Sequence, residues 1–211
     1  MTILLRPEIV SGESRASHNN GKVSETEVKS KIFMVAQQLF VEKGYHRTSI
    51  PDIVKEAGVS TGAIYHHYSS KEDLAREIHR VTVGQFLKKY AEEVASKEAT
   101  YEKIRAYTAL LFRWVEEDPV MVRYLLYGRP KEILDKCLSV CSEEGLKATM
   151  EIVHNGISRG EVRPMSPTLA AASISGILMR MLELRIDGLI EHSLVEYIEA
   201  AANNIWLSVK A

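Results

Sequence analysis

Two cysteines in 211 residues, Cys137 and Cys141, are too few to staple a chain of this size, and their scarcity fits a reducing compartment. Long apolar runs are missing too. Nothing approaches the roughly 18 consecutive apolar residues of a transmembrane helix, and Arg6 and Pro7 follow only a few apolar residues, so no secretory signal is expected. The chain is therefore expected to be soluble and cytoplasmic, with no membrane partner. Basic charge is not in surplus: Lys and Arg number 27 against 28 Asp and Glu, a formal net charge of −1. That balance gives no support to nucleic-acid binding, whose usual footprint is a basic face. Between Lys22 and Glu72 there are seven bases, six acids and three histidines, yet the segment 57–71 holds no carboxylate at all. A surface that approaches phosphates needs such a gap. Catalytic signatures are absent as well: no G-x-S-x-G, no H-E-x-x-H, no Walker loop and no glycine-rich dinucleotide turn. The expectation is a protein that is not an enzyme and needs no cofactor.

What is present is helical pattern almost throughout, in a composition of 45% hydrophobic and 26% charged residues that suits a globular domain. Residues 1–22 are rich in Ser, Gly, Asn and His with little periodicity and read as a mobile arm. Ser24 and Glu27 form an S-x-x-E capping box, with Val23 and Val28 as a hydrophobic staple. Val28, Ile32, Val35, Ala36, Leu39 and Phe40 follow at helical spacing, and Lys43-Gly44 ends the helix. Ser49 caps a second short helix with Pro51 in its first turn, and Ile50, Ile53, Val54 and Ala57 turn inward. Gly58 breaks that helix, Val59 plugs the turn, Ser60 caps a third, and Ser70 opens a long fourth. Helix, tight glycine-containing turn, helix is the helix-turn-helix pattern, which ordinary αα-hairpins share.

The stretch from Ile32 to Ile78 resembles the DNA-binding domain of the tetracycline-repressor (TetR) family. The resemblance rests on LFVEKGY, TSIPDI, AGVSTG and IYHHYSSKEDL at the family's spacing. Beyond it, the chain resembles the family in length and all-helical character. Tyr68 departs from the more usual phenylalanine, and the arm is longer than in many members. The resemblance implies an all-α protein: a flexible arm (1–22), a helix-turn-helix domain (23–71), and a helical effector-binding and dimerisation domain (72–211). It further implies that Ser60, Thr61, Gly62, Ala63, Tyr65 and His66 face bases or adjacent phosphates, and that Ser49, His67 and Lys71 contact phosphates of a double-stranded operator. The bare start of the third helix suits close approach to the major groove. No Arg, Asn or Gln lies between Ser60 and Ser70, so specificity should lean on thymine methyls, fit and DNA shape. Tyr68 and, less so, Tyr65 also have a reading as packing residues. His66 and His67 invite a metal reading, but neighbours on a helix point about 100° apart, and no metal is expected.

The remaining chain reads as further helices. Thr100 is expected to cap one, Asp118-Pro119 to open a short one, and a long stretch from Lys131 to about Arg159 to be interrupted by Gly145 and Gly156. Ser166-Pro167 opens the next, and Ser193 with Glu196 forms a capping box for the last. Cys137 and Cys141, one turn apart, read as small buried hydrophobes. Small residues among large ones suggest a homodimer seam at Leu169, Ala172 and Gly176 on one helix and Leu194, Ile198, Ala202, Ile205 and Trp206 on the other. In the family such a pair builds a four-helix bundle with its twin. Phe86, Tyr90, Tyr107, Leu111, Trp114, Tyr124, Met150, His154 and Met179, with Met181, are candidates to line a pocket for a small hydrophobic or aromatic effector. Plain core is the competing reading for each. Arg105, Arg113 and Arg180 would serve an anionic effector only if they point inward. The alternative function is a regulator governed by a protein partner, or by no small molecule.

Overall fold

The computed structural model describes residues 24–128 and 145–211. The arm, the Val23 half of the staple, the first part of the Lys131–Arg159 stretch and both cysteines lie outside these residues. Every element among the described residues is helical apart from one isolated antiparallel bridge, Val162 to Lys210. The helices are α1 (Glu25–Glu42), α2 (Ile50–Ala57), α3 (Thr61–His67), α4 (Lys71–Tyr90), α5 (Thr100–Glu117), α6 (Pro119–Arg123), α7 (Gly145–Ser158), α8 (Pro167–Ile186) and α9 (Ile198–Val209). Turns of π-helix prolong α4 over Ala91–Ala95 and α6 over Tyr124–Gly128. None of these helices is long and apolar enough to cross a membrane.

Local chemistry sets the ends of the first helices. Ser24 and Glu27 close a reciprocal capping box on α1, and Ser49 does the same for α2 with Asp52 in the third position. Gly44 and Gly58 adopt left-handed backbone, with φ of 84° and 60°, where a side chain would be strained. Further along, two start signals act otherwise than expected. Thr100 is the first residue of α5 rather than its cap, and its N–H donates to the Glu161 carboxylate at 2.7 Å. Ser193 caps a turn of 3-10 helix over Leu194–Tyr197, accepting from the Val195 N–H, so no box with Glu196 forms. Nor does Gly156 interrupt α7, which runs on to Ser158. A Cβ on Gly156 would lie 2.6 Å from Val162 and 2.8 Å from Thr100, so this glycine serves close packing instead.

Two hydrophobic clusters result. The first gathers Ile32, Ala36, Leu39 and Phe40 of α1 with Tyr45, Ile53, Ile64, Tyr68 and the first half of α4. The second, larger cluster joins the second half of α4 to α5 through α9. Helix α4 belongs to both, so any tilt of it must be felt on either side. Two polar links cross nearby. Gln37 donates to Thr82 at 3.4 Å in a buried site, tying α1 to α4. The Tyr124 hydroxyl donates to the Ala75 carbonyl at 3.4 Å, and its ring sits wholly buried in the first cluster.

Candidate nucleic-acid interface

Helix α3 has two faces because Ile64 anchors it, with Tyr68 buried just past its end. Ile64 and Tyr68, four residues apart, are 0% and 3% exposed and point into the first cluster. Thr61, Gly62, Tyr65 and His66 then fall on the opposite side and are exposed, Tyr65 by 53%. Ala63 and His67 are half-buried at the edges of that face. The Ser60 hydroxyl accepts from the Ala63 N–H at 3.1 Å and so serves as the cap. A Cβ on Gly62 would meet nothing nearer than Ser60 Oγ at 3.8 Å, so packing within the chain does not demand glycine there. Its bareness is presented outward.

Loop and helix starts around α3 are braced by side chains that local spacing does not reveal. Lys71 donates to the carbonyls of Tyr45 (3.1 Å) and Thr48 (2.9 Å), and its ammonium lies 4.1 Å from the centre of the Tyr45 ring. The Tyr45 hydroxyl donates to Glu72 at 3.1 Å. Burial and that carboxylate push the Tyr45 hydroxyl well above its usual range. Thr48, 1% exposed, donates to the carbonyls of Leu39 and Gly44 and closes the end of α1. Lys71 is thus a clamp between α4 and the loop ahead of α2, with two of its three ammonium donors engaged. Removing it leaves two carbonyls without their charged donor. Lys71→Ala should cost about 1.5–3 kcal/mol in urea unfolding, whether or not DNA binding also weakens.

Ser49 is similarly engaged: its hydroxyl donates to Asp52 at 2.6 Å while accepting from the Asp52 N–H. The hydroxyl bond and a second one from the Ser49 N–H, at 2.8 Å, hold the Asp52 carboxyl below its ordinary range. A phosphate at the start of α2 would compete with that carboxylate. Burial pushes the hydroxyl of Tyr68 up to about 12, and no partner meets it. The ring serves as core, as the sequence predicts. Glu25, unflagged by sequence, reaches from the start of α1 to His66, with Oε1 2.9 Å from Nε2. No spacing rule could have paired residues 41 positions apart.

The candidate effector residues scatter. Phe86, Tyr107, Leu111 and Trp114 are buried, Phe86 stacking on Trp114 at 5.9 Å between centroids with rings 14° apart. Tyr90, Met150, Met179 and Met181 are half-buried. Tyr124 packs instead into the α1–α4 cluster, and His154 is exposed, so both depart from the expected lining. Arg105, Arg113 and Arg180 point outward to Glu199, Glu93 and Glu183. A cleft of roughly 340 Å³ lies elsewhere, between Gln38, Val41 and Glu42 of α1 and Val115, Pro119, Arg123 and Arg185. None of the expected residues lines it.

The expected seam is half corrected. Leu169 (60% exposed), Ala172 and Gly176 do lie on the outer face of α8, beside Ile177. Leu194, Ile198, Ala202 and Ile205 instead face the chain's own core, at most 9% exposed. Trp206 is half-buried edge-on to Tyr101. The outer stripe of α9 is Ala200, Asn203 and Leu207.

An anchored short helix, set by a glycine turn against the helix before it and bare on its outer side, is the helix-turn-helix arrangement that DNA-binding proteins use. Similarity to known proteins narrows the class. Residues 32–78 match the family described as bacterial regulatory proteins, tetR family. Over 171 residues the chain is 25% identical to the HTH-type transcriptional regulator YfiR of Bacillus subtilis, covering 79% of this chain and 80% of that one. Its fold is similar to that of FadR from Bacillus subtilis, solved in complex with stearoyl-CoA (TM-score 0.70, 22% identity, 83% of this chain and 96% of that). It is also similar to the ketosteroid regulator KstR2 of Mycobacterium tuberculosis (TM-score 0.68, 20% identity, 87% and 95%). Residues 32–78 thus carry the DNA-binding unit of the TetR family of transcriptional regulators, and the fold of the chain is similar to that of its members.

Proposed function

We propose that this chain is a cytoplasmic homodimeric repressor that leaves a palindromic operator when a small hydrophobic effector binds. On this reading residues 23–71 hold the DNA, and residues 72–211 bind effector and twin. The carrying observation is the outer face of α3, with Thr61, Gly62, Tyr65 and His66 exposed above the Ile64 and Tyr68 anchors. Two such faces on a two-fold dimer read two equal half-sites. The exposed stripe of Leu169, Ala172, Gly176 and Ile177 is the surface we assign to the twin. Small residues there let helices approach closely.

The effector reading rests on the aromatic column of Phe86, Tyr90, Tyr107 and Trp114, which spans α4 and α5. A ligand that opens this column moves α4, and α4 carries the first cluster with it. The stearoyl-CoA bound to FadR gives the class to try first: a long apolar chain with an anionic head. A second reading, control by a protein partner or by no small molecule, is favoured by the tightness of the Phe86–Trp114 stack. Fluorescence anisotropy of operator DNA, titrated with acyl-CoA thioesters and steroid acids, separates the two. A tenfold loss of affinity needs an effector that prefers the released form by about 1.4 kcal/mol. Release by one compound class supports the first reading. No release by any, with operator binding intact, leaves the second.

A further inference from the structure

We propose that Glu25, His66 and His67 form a binding site for a divalent transition-metal ion of the zinc type, and that its occupation strengthens DNA binding. This rests on the assignment of α3 as the recognition helix. The expectation that adjacent histidines diverge fails at the ring level. Helix α3 stops at His67, Tyr68 leaves it in extended conformation (φ −138°, ψ 127°), and the two imidazoles meet edge to face with centroids 5.0 Å apart. Glu25 completes the set from the first turn of α1, 2.9 Å from His66 Nε2. One ligand atom from each of the three lies within 4.8 Å of the others. A tetrahedral ion with bonds of about 2.0–2.1 Å holds its ligand atoms ~3.4 Å apart, a change that small rotations of these side chains supply.

Chemistry and placement both favour the ion. Two imidazoles and one carboxylate suit Zn²⁺, Co²⁺ or Ni²⁺, whereas Ca²⁺ and Mg²⁺ prefer oxygen ligands throughout. Three protein ligands leave a fourth position open. The side chains of Glu25 and His66 are mostly exposed, so an ion enters from solvent without unfolding. The helices that carry them are held together: Lys29 lies 5.9 Å over the Tyr68 ring, and the Ser24–Glu27 box fixes the start of α1. With neutral imidazoles the cluster carries −1, and with a divalent ion it carries +1. That gain falls on a DNA-facing edge whose surrounding segment has almost no net positive charge of its own. The open position can take a phosphate oxygen, so the ion adds an electrostatic contact in each subunit.

The test begins with full-length protein free of DNA, titrated with Co²⁺ and followed by its visible absorption, then displaced by Zn²⁺. One tetrahedral ion per chain is expected. Glu25→Gln and His67→Gln should weaken it more than about 100-fold, since loss of a direct ligand exceeds the 10–100-fold effect of an outer-sphere partner. His154→Gln and His192→Gln, both at exposed histidines elsewhere, should leave it unchanged. Equal cobalt binding by parent and Glu25→Gln, or none by the parent, overturns the site. The second arm compares operator binding with Zn²⁺ and with EDTA at several salt concentrations. We expect about tenfold tighter binding and a steeper salt slope with the ion, a difference that vanishes in Glu25→Gln. Parent that binds the ion but binds DNA equally with and without it overturns the coupling. Parent that binds the ion and no DNA in either condition overturns the recognition-helix assignment and leaves the metal site standing.

Discussion

Trp114→Ala should lower the unfolding free energy by about 3–5 kcal/mol, the usual cost of removing a large buried aromatic side chain. Trp114 is 4% exposed and stacks on Phe86, which is itself edge-on to Tyr107. Tyr107 meets Tyr90 in turn at 5.9 Å. Truncation therefore empties one place in a continuous aromatic column, and its neighbours cannot collapse without breaking their own ring contacts. Loss of the stacked pair adds its share beyond area alone, about 0.5–1.5 kcal/mol. The chain has only two tryptophans, so Trp206 remains as the fluorescent reporter of urea unfolding. Trp114→Phe should recover most of the loss. A cost below about 1 kcal/mol for the alanine variant, against the range usual for a buried aromatic, would mean that the space beside Trp114 is already accessible to water or ligand, and would speak for a preformed effector cavity.

Gly176→Arg should convert the dimer to monomer while leaving the subunit folded. No atom lies within 4 Å of where a Cβ on Gly176 would stand, and the position faces outward on α8. Within the subunit, a side chain there meets nothing, and in a helix interior replacing glycine gains up to about 1 kcal/mol of propensity. Against a twin helix it both overpacks and buries an unpaired charge, a loss of about 3–5 kcal/mol and hence more than about 100-fold in dimer affinity. Ala202→Arg provides the contrast. Ala202 is 0% exposed within the subunit, so an arginine there should unfold the chain rather than merely separate the copies. Sedimentation velocity with circular dichroism reads both outcomes. A dimeric Gly176→Arg protein would move the interface away from the α8 stripe.

The helix-turn-helix is legible because its signals are local. Ser24, Ser49, Ser60 and Ser70 each precede a helix and cap it, and Gly44 and Gly58 take the left-handed turns their positions call for. The outer face of α3 is legible through the family resemblance, and Tyr68 takes the packing role its ring suggests. The last helix is harder, for a physical reason. Both of its faces carry small and apolar residues, and periodicity marks a stripe without saying whether the chain's own core or a twin covers it. Spacing alone puts Ile198, Ala202 and Ile205 at the seam, and the core claims them. Tyr124 illustrates the same limit across elements: its partners are in α1 and α4, far away in sequence. The Lys71 clamp and the Glu25–His66 contact depend on residues 23 to 41 positions apart, beyond any local pattern.

Selection of DNA from a random pool by the full-length chain tests the central claim most directly. The account predicts enrichment of an imperfect inverted repeat whose two half-sites carry the same element. Tyr65→Ala, altering an exposed side chain at the centre of the α3 outer face, should bind the selected sequence at least about tenfold more weakly, as loss of about 1–3 kcal/mol per recognition contact requires. Its fold should be unchanged. A pool that yields no common sequence, or a Tyr65→Ala protein that binds the selected site as tightly as the parent at physiological salt, would contradict it.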